Sequence, residues 1–323
     1  MESEIADVES LPEPSFISER WADKAFQKLT LFFALSILAI ALGIAWELFV
    51  NSTLARHAFG LHFLTRSVWD PVAENFGAVP FIYGTLVSSA LAMMISVPLG
   101  VGVAVFLAEM APVRVSEVCS FLIELLAAIP SVVYGLIGIF VLVPFMRTYL
   151  DPALMTVFGF LPFFKGPDYG VNMLSAGVVL AIMVVPFIAT LSRQVLMAVP
   201  RAQKEAAMAL GATHWEVVTW AVLPYARSGI IGSIFLALGR ALGETMAVTM
   251  VIGNRPEVAS SLLAPGYTMA AVLANEFTEA TSDLYVHALI EIGLVLFFIT
   301  IIVNGIARLM LMRLQTDAPG RNT

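Results

Sequence analysis

Cysteine, histidine and charge are all scarce in this chain, and each shortage removes a class of function. Cys119 is the only cysteine, so neither an intrachain disulfide nor a cysteine-rich metal centre can form. His57, His62, His214 and His287 do not share metal-ligand spacing and read as solvated or interfacial side chains. No glycine is followed by lysine, which excludes a phosphate-cradling P-loop, and neither His-Glu-x-x-His nor Gly-x-Ser-x-Gly occurs. The aspartates, at 7, 23, 70, 151, 168, 283 and 317, all read as tail or loop positions, which argues against an intramembrane aspartyl protease. A net charge of −7 argues against nucleic acid as a partner.

What the chain has in excess is apolar surface: 59% of its 323 residues are hydrophobic and 13% charged, with a mean hydropathy of +0.89. That balance belongs to an integral membrane protein. Runs of about twenty apolar residues predict an all-α polytopic fold of about six transmembrane helices, at 29–50, 81–107, 119–146, 173–195, 228–252 and 286–311. Pro98, Pro130, Pro144 and Pro186 fall inside these spans and read as kinks whose freed backbone groups neighbouring helices satisfy. The first span lacks the basic leader and short core of a secretory signal and reads as retained. Residues 1–28, acidic through Glu2, Glu4, Asp7, Glu9, Glu13, Glu19 and Asp23, read as a mobile tail; 29–315 reads as one transmembrane domain and 316–323 as a second tail. Eleven of the seventeen Lys and Arg residues fall on the side of both termini, which the positive-inside rule makes cytoplasmic.

Between the fourth and fifth spans lies a water-facing stretch, residues 196–226, that reads as a helical hairpin. Pro200 pre-sets a first turn, Gln203 to Leu210 favour helix, and Gly211 sits where a left-handed cap is wanted. Thr213 and Glu216 form a Thr-x-x-Glu capping box that starts a second helix, which Pro224 helps to close. Ala206, Ala207 and Ala209 keep the first helix low, so another protein's groove can approach it. A hairpin lying on lipid headgroups fits the same local chemistry.

The fifth span holds Gly239-Arg240-Ala241-Leu242-Gly243-Glu244-Thr245. An Arg near a helix centre costs about 2.5 to 3.5 kcal/mol on insertion scales, so it should face a bundle interior or a hydrated route. Residues four apart on a helix differ by about 40° and about 6 Å, which predicts Arg240 and Glu244 on one face, with Gly239 and Gly243 beside them as a surface for close helix packing. Two roles fit: the pair fixes an assembly, or Arg240 offers its planar fork to an oxyanion while Glu244 orients it. Glu124 reads as a helix-start charge, Ser131 as lining a kink, and Glu291 and Asn304 as interhelical hydrogen-bonding groups.

Glu205-Ala206-Ala207, then Gly211, then Leu223-Pro224 resemble the EAA loop of ABC importer permeases, the segment that docks on a cytoplasmic ATPase; Ala221 stands where that pattern usually has Ile. Within those permeases, residues 239–248 with Gly253-Asn254, and the stretches 124–135, 161–166 and 77–86, resemble the PstC subunits of phosphate importers. The PstA-type sister subunit usually continues its Gly-Glu-Thr with Ala-Pro-Leu, where this chain has Met246-Ala247-Val248. The likeness covers about residues 75–312, and little of it lies in the first 70. It implies a non-catalytic permease in a bacterial inner membrane, importing phosphate by alternating access. The partners it implies are a PstA-like permease, a PstB-like ATPase dimer that uses ATP and Mg, and a PstS-like phosphate-binding protein meeting segments 148–172 and 253–285. This chain would bind no cofactor, would couple through Glu205, Ala206, Ala207, Gly211, Leu223 and Pro224, and would line the substrate pathway with Arg240, Glu244 and Thr245. On the residues alone, molybdate, sulfate or phosphonate as cargo, an ATP-independent transporter or channel, and a membrane enzyme stay open.

Overall fold

The computed structural model describes residues 16–166 and 169–316, and the chain divides at Val50/Asn51 into two units. The first contains α1 (Phe16–Asn51). No glycine or proline interrupts the chain from Phe16 to Leu42, and Pro14 lies just upstream, so the helix starts early. Much of the expected tail is therefore helical: residues 16–28 belong to α1, whereas residues 1–15 and 317–323 lie outside the described residues. The apolar stretch Asp23–Asn51 is long enough to cross a membrane. A helix apolar on every side has lipid as its solvent.

The second unit begins with α2 (Thr53–Phe59). There follow α3 (Val79–Val105), which a π-helical turn, Phe106–Met110, prolongs, and α4 (Val113–Ala127). Next come α5 (Ser131–Ile137), α6 (Val143–Phe145) and α7 (Asp151–Phe158), joined by π-helical stretches, and then α8 (Met173–Met197). After α8 stand α9 (Arg201–Ala209), α10 (His214–Glu216), α11 (Leu223–Leu242) and α12 (Met246–Thr249). The chain ends with α13 (Met269–Glu276) and α14 (Asp283–Thr316). Among the described residues six helices are long and apolar enough to span: Asp23–Asn51, Val79–Met110, Ser131–Phe158, Met173–Met197, His214–Leu242 and Asp283–Met312.

Two of the expected spans are displaced. The third runs 131–158 rather than 119–146, because Pro130 has no N–H and holds its own backbone extended at ψ 140°. Residues 119–127 belong instead to α4, so Glu124 lies in that helix's last turn and not at a helix start. Asp151, expected in a loop, is fully buried within the third span, where its Oδ2 accepts from Asn172 Nδ2 at 2.9 Å. The fifth span runs 214–242 rather than 228–252, with its helix ending at Leu242 and Gly243 as the cap.

Apolar burial supplies little drive between helices in lipid, so association rests on close packing of small residues. A Cβ on Gly100 of α3 would come within 2.8 Å of Ile188 of α8, and one on Gly177 of α8 within 2.7 Å of Leu91 of α3. Small meets large at both ends of this helix pair, in opposite directions. At the N-terminal end of α3, Trp69 packs edge-on against Phe76 and Phe81 with centroids 4.8 Å away in each case. Glu276 Oε2 accepts from Trp69 Nε1 at 2.8 Å and from the Tyr285 hydroxyl at 2.6 Å, closing that end. Gly84 there lies flat on the Tyr267 backbone carbonyl, where no side chain fits. Gly84→Ala should therefore cost about 2 kcal/mol and lower the melting temperature of the purified chain. Gly305→Ala, whose Cβ meets nothing within 4 Å, should leave it unchanged.

Candidate functional site

The hairpin is built by its caps. Pro200 is the extended residue before α9, and Gly211 takes a left-handed φ of +86° that a side chain would resist. Gly211 N–H donates to Met208 O at 2.9 Å and Ala212 N–H to Ala207 O at 3.2 Å, the paired bonds of a Schellman ending. Thr213 then caps α10, and Glu216 Oε2 accepts from Thr213 N at 2.7 Å, completing the expected capping box. Pro224 does not close the second helix as expected. A π-helical stretch, Val217–Val222, carries α10 into α11, because widened turns accommodate the missing proline N–H.

The candidate coupling residues come together at this elbow. Glu205, Ala206, Gly211 and Pro224 are exposed, whereas Ala207 and Leu223 are half-buried against the apolar cluster around Leu196 and Val218. An open groove of about 380 Å³ runs between the two helices, lined by Ala207, Leu210, Gly211, Glu216 and Trp220. Leu210 is 90% exposed and Trp220 70%, more apolar surface than a hairpin turned to water would carry without a partner. Beneath it, Lys204 Nζ meets Glu109 Oε1 at 2.6 Å, and His214 Nε2 donates to Glu109 O at 2.7 Å. Neither contact is foreseeable from sequence, because 95 residues separate Lys204 from Glu109.

The second constellation departs from expectation. Arg240 occupies the last turn of α11 and is exposed, its Cζ 5.7 Å from the centre of the Phe187 ring. Glu244 lies beyond the helix end, and its Oε1 accepts from Ala247 N at 3.2 Å, capping α12. Two glycines in five residues lower the helix propensity at this point, and the helix stops before Arg240 and Glu244 can share a face. Among the described residues the two form no ion pair. Thr245 is half-buried, and its hydroxyl reaches Gly243 O at 3.5 Å. A Cβ on Gly239 would meet nothing nearer than Asn304 at 3.6 Å, and one on Gly243 nothing nearer than Gly239 O at 3.8 Å. Among the described residues, then, Gly239 faces Asn304 of α14 at ordinary contact distance, whereas Gly243 faces no other helix. Met250 and Ala247 instead press on Gly135 of α5, and the break after Arg240 thus rests on the helix that follows Pro130.

A small pocket between α4 and α8 gathers Ser120, Glu124, Thr190 and Arg193, and Arg193 Nη2 donates to Ser116 Oγ at 3.1 Å. Glu291 is buried at 6% exposure in α14. Neither Glu291 nor Asn304 forms the expected interhelical hydrogen bond among the described residues, where Glu291 Oε2 is without a partner.

The residues from 96 to 315 match the family described as binding-protein-dependent transport system inner membrane component. The phosphate transport system permease protein PstC of Mesorhizobium japonicum is 47% identical over 297 residues, 91% of this chain and 91% of that protein. The proteins of the same name from Haemophilus influenzae and Xylella fastidiosa are similar too. The former is 43% identical, covering 93% of this chain and 96% of its own; the latter is 49% identical, covering 90% and 91%. Among solved structures, a bacterial ABC transporter involved in the import of the acidic polysaccharide alginate has a TM-score of 0.58 at 16% identity. It covers 90% of this chain and 98% of its own, a likeness of fold.

The capping position of Glu244 can be separated from its charge. Glu244→Gln keeps an oxygen for Ala247 N–H, whereas Glu244→Ala removes it. Hydrogen exchange at Ala247 should rise about fivefold in the alanine variant and stay near wild type in the glutamine variant.

Proposed function

The chain belongs to the binding-protein-dependent transport system inner membrane components, and within them to the PstC phosphate permeases; we propose that it forms half of the membrane pathway of an ATP-driven phosphate importer. It is a multi-pass membrane protein and a permease subunit of a larger transporter. The observation that carries the coupling is the capped hairpin, which presents Glu205, Ala206 and an apolar groove to a partner.

In this reading the hairpin and both termini face the cytoplasm, supported by the excess of Lys and Arg on that side. The partner permease is PstA-like, the motor is a PstB-like ATPase dimer that uses ATP and Mg, and a PstS-like protein delivers phosphate from outside. Closure of the motor on ATP moves the hairpin, and the two permeases open outward to take phosphate; hydrolysis returns them to face the cytoplasm. Arg240 supplies the cation of the route. Its guanidinium offers two parallel N–H donors, a fork that fits an oxyanion better than an ammonium does. Glu244 and Thr245 shape the turn that holds Arg240 at the helix end. Gly243 leaves room for the neighbouring permease, while Gly239 packs beside Asn304 of this chain.

Reconstituted with its partners in vesicles, the complex should take up phosphate only with ATP inside, and excess sulfate or molybdate outside should not compete. Uptake without ATP, or equal competition by the other oxyanions, would refute the assignment. Arg240→Lys should lower phosphate uptake about tenfold and Arg240→Gln further, with the complex still purified intact. Loss of the complex in either variant would assign Arg240 to assembly instead.

A further inference from the structure

Covalent connection joins the hairpin to α8 on one side and α11 on the other, through Met197–Pro200 and Val217–Val222. The span that begins at Val79 has no such connection to it. It ends in the π-helical turn Phe106–Met110, where Ala108 joins the apolar cluster that includes Ala207 and Ala212 and where Glu109 makes a polar contact with each hairpin helix. Its carboxylate pairs with Lys204 of α9 at 2.6 Å, with side-chain exposures of 6% for Glu109 and 21% for Lys204. Its carbonyl, one of the four that a helix end leaves without an internal partner, accepts from His214 of α10 at 2.7 Å. The two contacts lie on different hairpin helices, so the elbow cannot shift or rotate without loading Glu109.

The other end of the same span is tied just as closely. Thr85, 2% exposed, accepts through Oγ1 from Met269 N–H at 2.9 Å, and Gly84 lies against the Tyr267 carbonyl. Between Thr85 and Glu109 are about 36 Å of helix, kept stiff by the interlocked contacts with α8. Tyr267 belongs to the segment between α12 and α13 and Met269 opens α13, at the end of the span away from the hairpin. That segment includes Arg255, whose N–H donates to Gly266 O at 3.1 Å.

We propose that Glu109 and Lys204 are positioning residues for transport: their ion pair draws the Val79–Met110 span along with the hairpin, and the span moves the Tyr267–Met269 segment at its far end. This rests on the importer reading above and adds the route by which the stroke crosses the membrane. A charge pair suits the task because its attraction falls off slowly with distance and so persists through small displacements. Its net contribution to stability is small when compared with an apolar pair of the same shape, so a role confined to holding the fold would not select it. The π-helical turn that carries Glu109 widens the end of its span beside the hairpin, and the one at Val217–Val222 widens the helix that leaves it, a geometry that recurs at functional sites.

The test uses the full complex in vesicles and reads phosphate moved per ATP hydrolysed. Glu109→Lys and Lys204→Glu should each lower that ratio at least about tenfold while the motor still co-purifies, and the double reversal should return it to within about threefold of wild type. Should Glu109→Lys fail to insert, Lys204→Met on the hairpin carries the same test and should lower the ratio equally. A wild-type ratio in Lys204→Met or in either reversal would overturn the proposal, as would a double reversal no better than the worse single. Loss of the motor from the Lys204 variants would also overturn it, placing Lys204 in the docking surface. A wild-type complex that moves no phosphate with ATP would instead refute the importer reading.

Discussion

The contact between α3 and α8 is the constraint on which the rest of the second unit depends. In lipid, two apolar helices gain little by leaving a solvent as apolar as themselves, so they hold together only where their backbones come close. Gly100 against Ile188 and Gly177 against Leu91 provide that approach at two levels. Because the fit runs in both directions, neither helix can slide without forcing a side chain into backbone. A rigid pair of this kind gives the broken helices around it something to rest on. It also carries the hairpin, which follows α8 directly.

Helix breaks are costly in a membrane unless other protein groups or water take up the freed backbone groups. Here two breaks, before Ser131 and after Leu242, are brought against one another through Gly135 and the pair Ala247 and Met250. The chain spends its own polar groups on them: Glu244 caps α12, and the Tyr134 hydroxyl donates to Leu126 O at 2.7 Å across the first break. Arg240 stands at the lip of the second. Its location at a helix C-terminus is favourable to a cation, which is one reason the helix can end there with a positive charge exposed.

The hairpin is legible in the sequence because its signals are local. A proline, a glycine at the left-handed position and a Thr-x-x-Glu box each act within a few residues, and the structure returns all three. The Arg240 and Glu244 geometry is not legible, since a four-residue spacing implies a shared face only while the helix continues, and Gly243 ends it. The third span slips by a dozen residues for a related reason. Residues 113–127 are apolar enough to read as span, and only the extended backbone imposed by Pro130 separates them from it. Glu109 is invisible to any local reading: its partners Lys204 and His214 are reached through the fold alone. Gly84, Gly100 and Gly177 are equally hidden, because sequence shows a small residue without showing what it faces.

Arg240 still carries an electrostatic deficit that the chain does not cover. Placing a guanidinium at membrane depth costs about 2.5 to 3.5 kcal/mol even on the lenient insertion scales, and a cation over an aromatic ring returns about 0.5 to 2 kcal/mol. Among the described residues the Phe187 ring is its partner, and no carboxylate pairs with it. The remainder must come from outside the chain, from water, from a neighbouring subunit or from an anion. A face turned to lipid supplies none of these. The open side of Gly243 lies at the same helix end, so the surface that needs hydration also leaves room for a second helix to approach. In the function proposed above, a route between two permeases would satisfy both demands at once, and an entering oxyanion would complete the pairing that the folded chain leaves undone.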